Sequence, residues 1–165
     1  MQNPFTHISP EGEARMVNVG AKAAAKRSAV AEAWVTVGPV VSEILHKQVG
    51  LTKGNVIETA RLAGIMGAKR TADLIPLCHP LAIEVVDVEA ELIKDRIRIR
   101  CRVECEAKTG VEMEAMTAAS IAALTIYDMV KSAEKGVEIG PVRLLEKHGG
   151  KSGDWLREAE KNGDY

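Results

Sequence analysis

The sequence predicts an α+β fold, an antiparallel sheet with two long helices packed on one face. Three observations carry this. Residues 86–105 alternate apolar and charged side chains on both sides of Lys94-Asp95, the period of a half-buried hairpin. Residues 55–75 and 112–133 instead repeat small apolar side chains at helical spacing. The blocks are interleaved in the order strand, short helix, long helix, hairpin, long helix, strand, which suits one mixed layer pair better than two separate domains.

Taken in order, residues 1–12 hold Pro4, Ser9, Pro10 and Gly12 without periodicity and read as a mobile arm with no function of its own. Ala29, Ala31, Ala33, Val35 and Val37 then alternate with Glu32, Trp34 and Thr36, which favours a strand over the helical bias of alanine. Pro39 opens a short helix carrying Val40, Val41, Ile44 and Leu45, and Gly50 closes it. Asn55 is placed to cap a long helix running to Ile75. On that helix Val56, Ala60, Ala63 and Gly67 share a face, with Gly64 beside them. Each glycine weakens a helix by about 1 kcal/mol relative to alanine, so the face is expected to serve close contact with another helix, the alanine-rich one downstream.

Pro76 ends the first long helix, and Pro80 forces extended backbone on His79, leaving Leu77 to Pro80 as a connector. In the hairpin, Asp87, Glu89 and Glu91 oppose Arg98, Arg100 and Arg102, so cross-strand ion pairing is expected of all six. The second long helix spans Glu112 to Ala133. It has no charge from Ala115 to Tyr127 and is expected to be buried nearly all round. A last strand from Glu138 to Lys147 leads into the loop His148 to Gly153 and a polar tail over 154–165, so residues 1–165 read as one domain.

Composition limits the function classes. The 165 residues are 46% hydrophobic but only 3% aromatic, so the core is built from small aliphatic side chains. A net charge of −1 and few stacking side chains argue against a dedicated nucleic-acid binder. Cys78, Cys101 and Cys105 are an odd number without paired spacing, and no export segment is evident, which points to a reducing cytoplasm. No apolar run reaches the roughly 20 residues of a membrane span.

Asp128 and Lys131, three residues apart at the end of the apolar helix, are the first candidate site. They fit an ordinary ion pair worth a few tenths of a kcal/mol, or a proton-transfer pair if one group is desolvated toward neutrality. Lys108, Thr109, Gly110, Glu112 and Glu114 form a second polar cluster at the other end of the same helix, where the carboxylates also suit the helix dipole. Gly150-Lys151-Ser152 lacks the earlier glycine of a phosphate loop, since Leu145 stands there, although lysines at 53, 69, 108, 147 and 151 suit phosphate. Cys78 and His79 lack the further ligands of a zinc site, so no protein-bound metal is expected. Cys101 and Cys105 lie two repeats apart on the apolar face of one strand and read as core.

Read in series, Lys53-Gly54, Thr59-Ala60-Arg61, Ala68 to Thr71, Asp73 to Pro80 (DLIPLCHP), Lys108 to Met116 (KTGVEMEAM), Thr117 to Met129, Ile139 to Leu145 (IGPVRLL) and Gly149 to Asp154 (GGKSGD) resemble the molybdenum cofactor biosynthesis protein C family, the cyclic pyranopterin monophosphate synthases. The resemblance covers nearly the whole chain, including Thr6-His7-Ile8. It implies a ferredoxin-like fold and a homohexamer built as a trimer of dimers, with active sites at the dimer interface. It also implies a lyase that converts a cyclised guanosine triphosphate, made by a radical S-adenosylmethionine enzyme, to cyclic pyranopterin monophosphate and pyrophosphate.

Carried over residue by residue, the resemblance gives Asp128 and Lys131 as the catalytic pair. It gives Lys53 as a further functional lysine, and Leu77, Cys78, His79, Met113 and Glu114 as substrate contacts. On chemical grounds Glu114 suits the amine and ring N–H groups of the base-derived part, with Glu112 a further substrate-binding candidate, and Lys53, Lys69 and Lys147 suit the triphosphate. Magnesium is compatible with the triphosphate without being a cofactor of the protein. Many family members carry aspartate after Lys-Gly where this chain has Asn55, which keeps a helix cap and removes one negative charge. Two rival readings remain: a non-catalytic oligomeric nucleotide-binding module, and a metal-dependent hydrolase using His79 and the carboxylates.

Overall fold

A computed structural model describes residues 6–47, 55–151 and 153–158. Its main elements are strand β1 (Ala25–Thr36), helices α1 (Gly38–His46), α2 (Val56–Lys69) and α3 (Thr71–Leu74), strands β2 (Val85–Ile93) and β3 (Arg96–Ala107), helix α4 (Glu112–Val130), and strands β4 (Glu138–His148) and β5 (Trp155–Leu156). The strands form one antiparallel sheet in the order β2-β3-β1-β4-β5, with α2 and α4 packed together and against it. This α+β arrangement is consistent with a ferredoxin-like fold. Among the described residues no helix is long and apolar enough to cross a membrane.

The core lies between the sheet and α4. Ala29, Ala31, Ala33 and Val35 of β1 and Ile97, Ile99, Cys101 and Val103 of β3 are fully buried, as are Ala115, Ala118, Ala119, Ala122 and Ala123 of α4. Alanine facing alanine lets the helix axis approach the sheet closely, which accounts for a core almost free of aromatic rings. Cys101 and Cys105 belong to it, and burial pushes the Cys101 thiol up to about 12.

The small-residue face of α2 does what its spacing predicts. A methyl group on Gly64 would stand 3.1 Å from the Ala118 carbonyl oxygen, and one on Gly67 would stand 2.9 Å from Ile121 Cγ1. The Asn55 side chain accepts from the Glu58 N–H at 3.1 Å, the expected cap. The single helix expected over 55–75 is divided, however. Thr71 is buried and its hydroxyl donates to the Ala68 carbonyl at 3.0 Å, competing for the carbonyls that would continue α2, and the chain restarts as α3.

Other boundaries also move. β1 begins at Ala25, earlier than the alternation shows, because Lys26, Arg27 and Ser28 hide its period. Trp155 and Leu156 of the expected polar tail pair with Lys147 and Glu146 as β5. The register sets Asp87, Glu89 and Glu91 opposite Arg102, Arg100 and Arg98, yet only Glu91 and Arg98 close a cross-strand bridge, at 3.0 Å, while Arg102 pairs with Glu104 of its own strand. These side chains are largely exposed, so solvent competes with the cross-strand pairing. Glu32, which alternates with the buried alanines of β1, is itself only 6% exposed and is bonded by the Arg143 Nε at 3.1 Å.

Gly67→Ala should therefore force α2 away from Ile121 and lower stability by about 1–3 kcal/mol, the usual range for overpacking a tight contact. Urea unfolding checks this, and an unchanged midpoint would contradict the close approach.

Candidate active site

Two cavities that share a wall lie at the N-terminal end of α4. The larger, about 670 Å³, is lined by Lys22, Arg27, Lys108, Lys147, Lys151 and the His148–Gly150 corner, with Glu112 as its one carboxylate among the described residues. The smaller, about 250 Å³, is lined by Leu77, Cys78, His79, Met113 and Glu114, with His7 and Thr6 on its rim. Lys22, Thr109, Gly110 and Glu112 border both, so the two form one cleft with a basic end and an acidic, partly apolar end. At the junction the Lys147 Nζ lies 3.1 Å from the Glu112 Oε1.

The sheet brings the cations together. Arg27 is in register with Cys105, and Lys147 with Ala29, so both lie on the face of the sheet that turns toward α4. There, at the strand ends, they reach the cavity instead of the core. Arg27 donates through Nε to the Ala107 carbonyl at 3.4 Å, and Lys108 donates to the Gly20 carbonyl at 2.8 Å. Gly149 and Gly150, with φ of +91° and +84°, close this end: a side chain on the first would meet the Lys26 carbonyl, and one on the second the Arg27 guanidinium. A concentrated positive field of this kind is a fit for a polyphosphate.

At the other end Glu114 sits in the first turn of α4 and is only 4% exposed. Burial, with a smaller push from Glu112, holds its carboxyl above the ordinary range, and burial beside Glu114 likewise raises the Cys78 thiol. A desolvated carboxyl held near cavity-lining His79 and Met113 can accept ligand N–H groups or hold a proton.

The cleft thus gathers Leu77, Cys78, His79, Glu112, Met113, Glu114 and Lys147 from the sequence-derived set. It does not gather the others. Lys53 lies outside the described residues, and exposed Lys69 at the end of α2 lines neither cavity. Asp128 and Lys131 also line neither: the helix rise of about 1.5 Å per residue puts Asp128 about 21 Å along α4 from Glu114.

Their expected burial is corrected as well. The side chains of Asp128 and Lys131 are 58% and 52% exposed, on the same outer stripe as exposed Leu124 and Tyr127, while Ile126, Met129 and Val130 face inward. They bond to each other at 2.6 Å, and that hydrogen bond raises Lys131, away from neutrality.

Sequence reasoning missed Lys22, Arg27 and His148 as site residues, and it gave residues 6 and 7 no role although Thr6 and His7 border the smaller cavity. For Arg27 a signal existed: a cation two residues before Ala29, on the inward register of the same strand.

Glu114→Gln should stabilise the protein at neutral and alkaline pH. Because the native carboxyl binds its proton more tightly than the unfolded one, wild-type stability falls as pH rises through the carboxylate range, and the advantage of the variant should appear over that interval and shrink in acid. Urea unfolding of both proteins at several pH values reads this, and a variant less stable than wild type at neutral pH would contradict a desolvated carboxylate.

The MoaC family model matches residues 16–150. Proteins named cyclic pyranopterin monophosphate synthase are similar along most of their length: that of Streptomyces avermitilis is 52% identical over 156 residues, 94% of this chain and 91% of the relative. Those of Parvibaculum lavamentivorans, over 92% of this chain and 95% of the relative, and Brucella ovis, over 94% of each, are 51% identical. A family match across most of the chain, agreeing with relatives that span both ends of the cleft, shows that this chain belongs to the MoaC family.

Proposed function

We propose that this chain carries out the reaction in its relatives' name, as an enzyme of molybdenum cofactor biosynthesis: it converts (8S)-3',8-cyclo-7,8-dihydroguanosine 5'-triphosphate to cyclic pyranopterin monophosphate and releases pyrophosphate. The observation that carries the reading is the two-ended cleft, in which five lysine and arginine side chains face one end and the desolvated Glu114 the other. Such a cleft suits a ligand with a polyphosphate at one end and a hydrogen-bonding ring system at the other.

In this reading Arg27, Lys108, Lys147 and Lys151 offset the triphosphate charge. That charge builds on the leaving pyrophosphate when a substrate hydroxyl attacks the α-phosphorus, so fixed cations there lower the barrier. Glu112 and Glu114 accept hydrogen bonds from the amine and ring N–H groups, and His79 lies close enough to the same end to orient the ring. Lys53, a functional lysine by the resemblance, suits the phosphate side on chemical grounds. Magnesium accompanies the triphosphate as part of the substrate.

Ring opening and pterin closure need proton transfers. Asp128 and Lys131 supply them from a second copy, because one α4 cannot present both of its ends to a small ligand. The active assembly is a homohexamer, a trimer of dimers, with the site at the dimer interface, where Lys69 reaches the site of a neighbouring copy. Desolvation by that neighbour counteracts the raised pKa of Lys131. The enzyme works in the cytoplasm on substrate supplied by a radical S-adenosylmethionine enzyme.

Single-turnover incubation with the cyclised triphosphate tests this. Wild type should release pyrophosphate and a pterin product together, while Asp128→Asn and Lys131→Ala should bind within a few-fold of wild type and turn over at least about 100-fold more slowly, the usual scale for losing a general acid or base. Wild type that binds and releases neither product would make the chain a binding module.

A further inference from the structure

The corner that closes the basic end of the cleft is held by a pair of residues outside the roles assigned above. The His148 Nδ1 lies 3.1 Å from the Asp154 Oδ2, and the His148 Nε2 lies 3.6 Å from the Glu146 Oε2. The second oxygen of Asp154 accepts the Gly149 N–H at 3.1 Å. One carboxylate thus joins the imidazole to the backbone of the corner. Gly149 and Gly150 in turn lie against the Lys26 carbonyl and the Arg27 guanidinium.

We propose that Asp154 and His148 are positioning residues for the phosphate-binding end of the cleft, clasping the Gly149–Gly150 corner against Arg27, and that anion binding there follows the protonation of His148. The proposal rests on reading the basic cavity as a triphosphate site. It adds to that reading a pH dependence carried by residues that need not touch the ligand.

The groups around His148 support the direction. On β4 it faces Glu146, and its register partner on β1 is the uncharged Ser28. Beyond Ser28, β3 presents Glu104, already paired with Arg102. The loop supplies Asp154 against the single cation Lys151, and Lys147 points to the other face of the strand, toward Glu112. Two carboxylates therefore contact the ring, and the Asp154 hydrogen bond above all raises His148 above the ordinary histidine value while His148 holds Asp154 below the ordinary carboxylate value.

The sign of the pH effect follows from linkage. A raised histidine contributes in full below its unfolded value and loses that contribution as pH rises through its folded value. A depressed aspartate contributes above its unfolded value and loses that contribution as pH falls through its folded one. The clasp is complete from about pH 4 to about pH 6.5 and opens on the alkaline side.

The test is calorimetric binding of inorganic triphosphate to the full chain across pH, comparing wild type with His148→Gln, which cannot titrate, so that the ionisation of the probe cancels. Relative to the variant, wild-type affinity should fall about three- to tenfold between about pH 6 and about pH 9, the size of one partly exposed charged contact. Asp154→Asn keeps an oxygen for the Gly149 N–H, so NMR titration should show His148 moving back toward its ordinary value in that variant. A pH profile identical in wild type and His148→Gln, or a His148 titration unmoved by Asp154→Asn, overturns the clasp alone. No triphosphate binding by wild type at any pH overturns the reading of the cavity and the clasp with it.

Discussion

Helix α4 is buried over most of its length because alanine lets it be. Five alanines facing Ala29, Ala31 and Ala33 of β1 and the glycine face of α2 allow backbone-to-backbone approach from both sides. That tight seat fixes the helix along its axis. It sets Glu112 and Glu114 at the mouth of the sheet, where β1 begins and β4 ends, and it leaves Asp128 and Lys131 of the last turn more than half exposed.

The two ends carry different chemistry for the same reason. At the first turn, packing removes water from Glu114, and the neighbouring ends of β1 and β4 gather cations beside Glu112, so a carboxyl with a raised pKa adjoins a basic cavity. At the last turn the Asp128–Lys131 pair stays more than half exposed, an ordinary ion pair in contact with solvent. Its reactivity then depends on what covers it. The proposed assembly resolves this by letting one copy desolvate what the other exposes, which makes association part of the chemistry.

Much of the fold was legible because the two periods are distinct. The hairpin alternates so regularly that Asp87, Glu89 and Glu91 fall opposite Arg102, Arg100 and Arg98 as read, and the glycines of α2 have the partner helix their spacing requires. The start of β1 was hidden because Lys26, Arg27 and Ser28 break the alternation, and the division between α2 and α3 because Thr71 acts through one hydroxyl that periodicity does not register. In the site, Cys78, His79 and Glu114 came with long motifs. Lys22, Arg27 and His148 did not, since an isolated cation or histidine has no local signature and acquires its neighbours only when β1 pairs with β4. The burial expected for Asp128 and Lys131 failed because their helix was treated as uniformly apolar, while its last two turns expose one stripe.

The central claim is that one working site takes Glu114 from one copy and Asp128 from another. Subunit mixing tests it most directly: Glu114→Gln and Asp128→Asn, each expected to lose most of its turnover alone, are unfolded together, refolded and assayed for pyrophosphate release. Random pairing across a two-fold interface leaves one intact site in each mixed dimer, so activity should return to about a quarter of wild type. A mixture that stays as inactive as its components would mean that both groups must come from the same chain, contradicting the account.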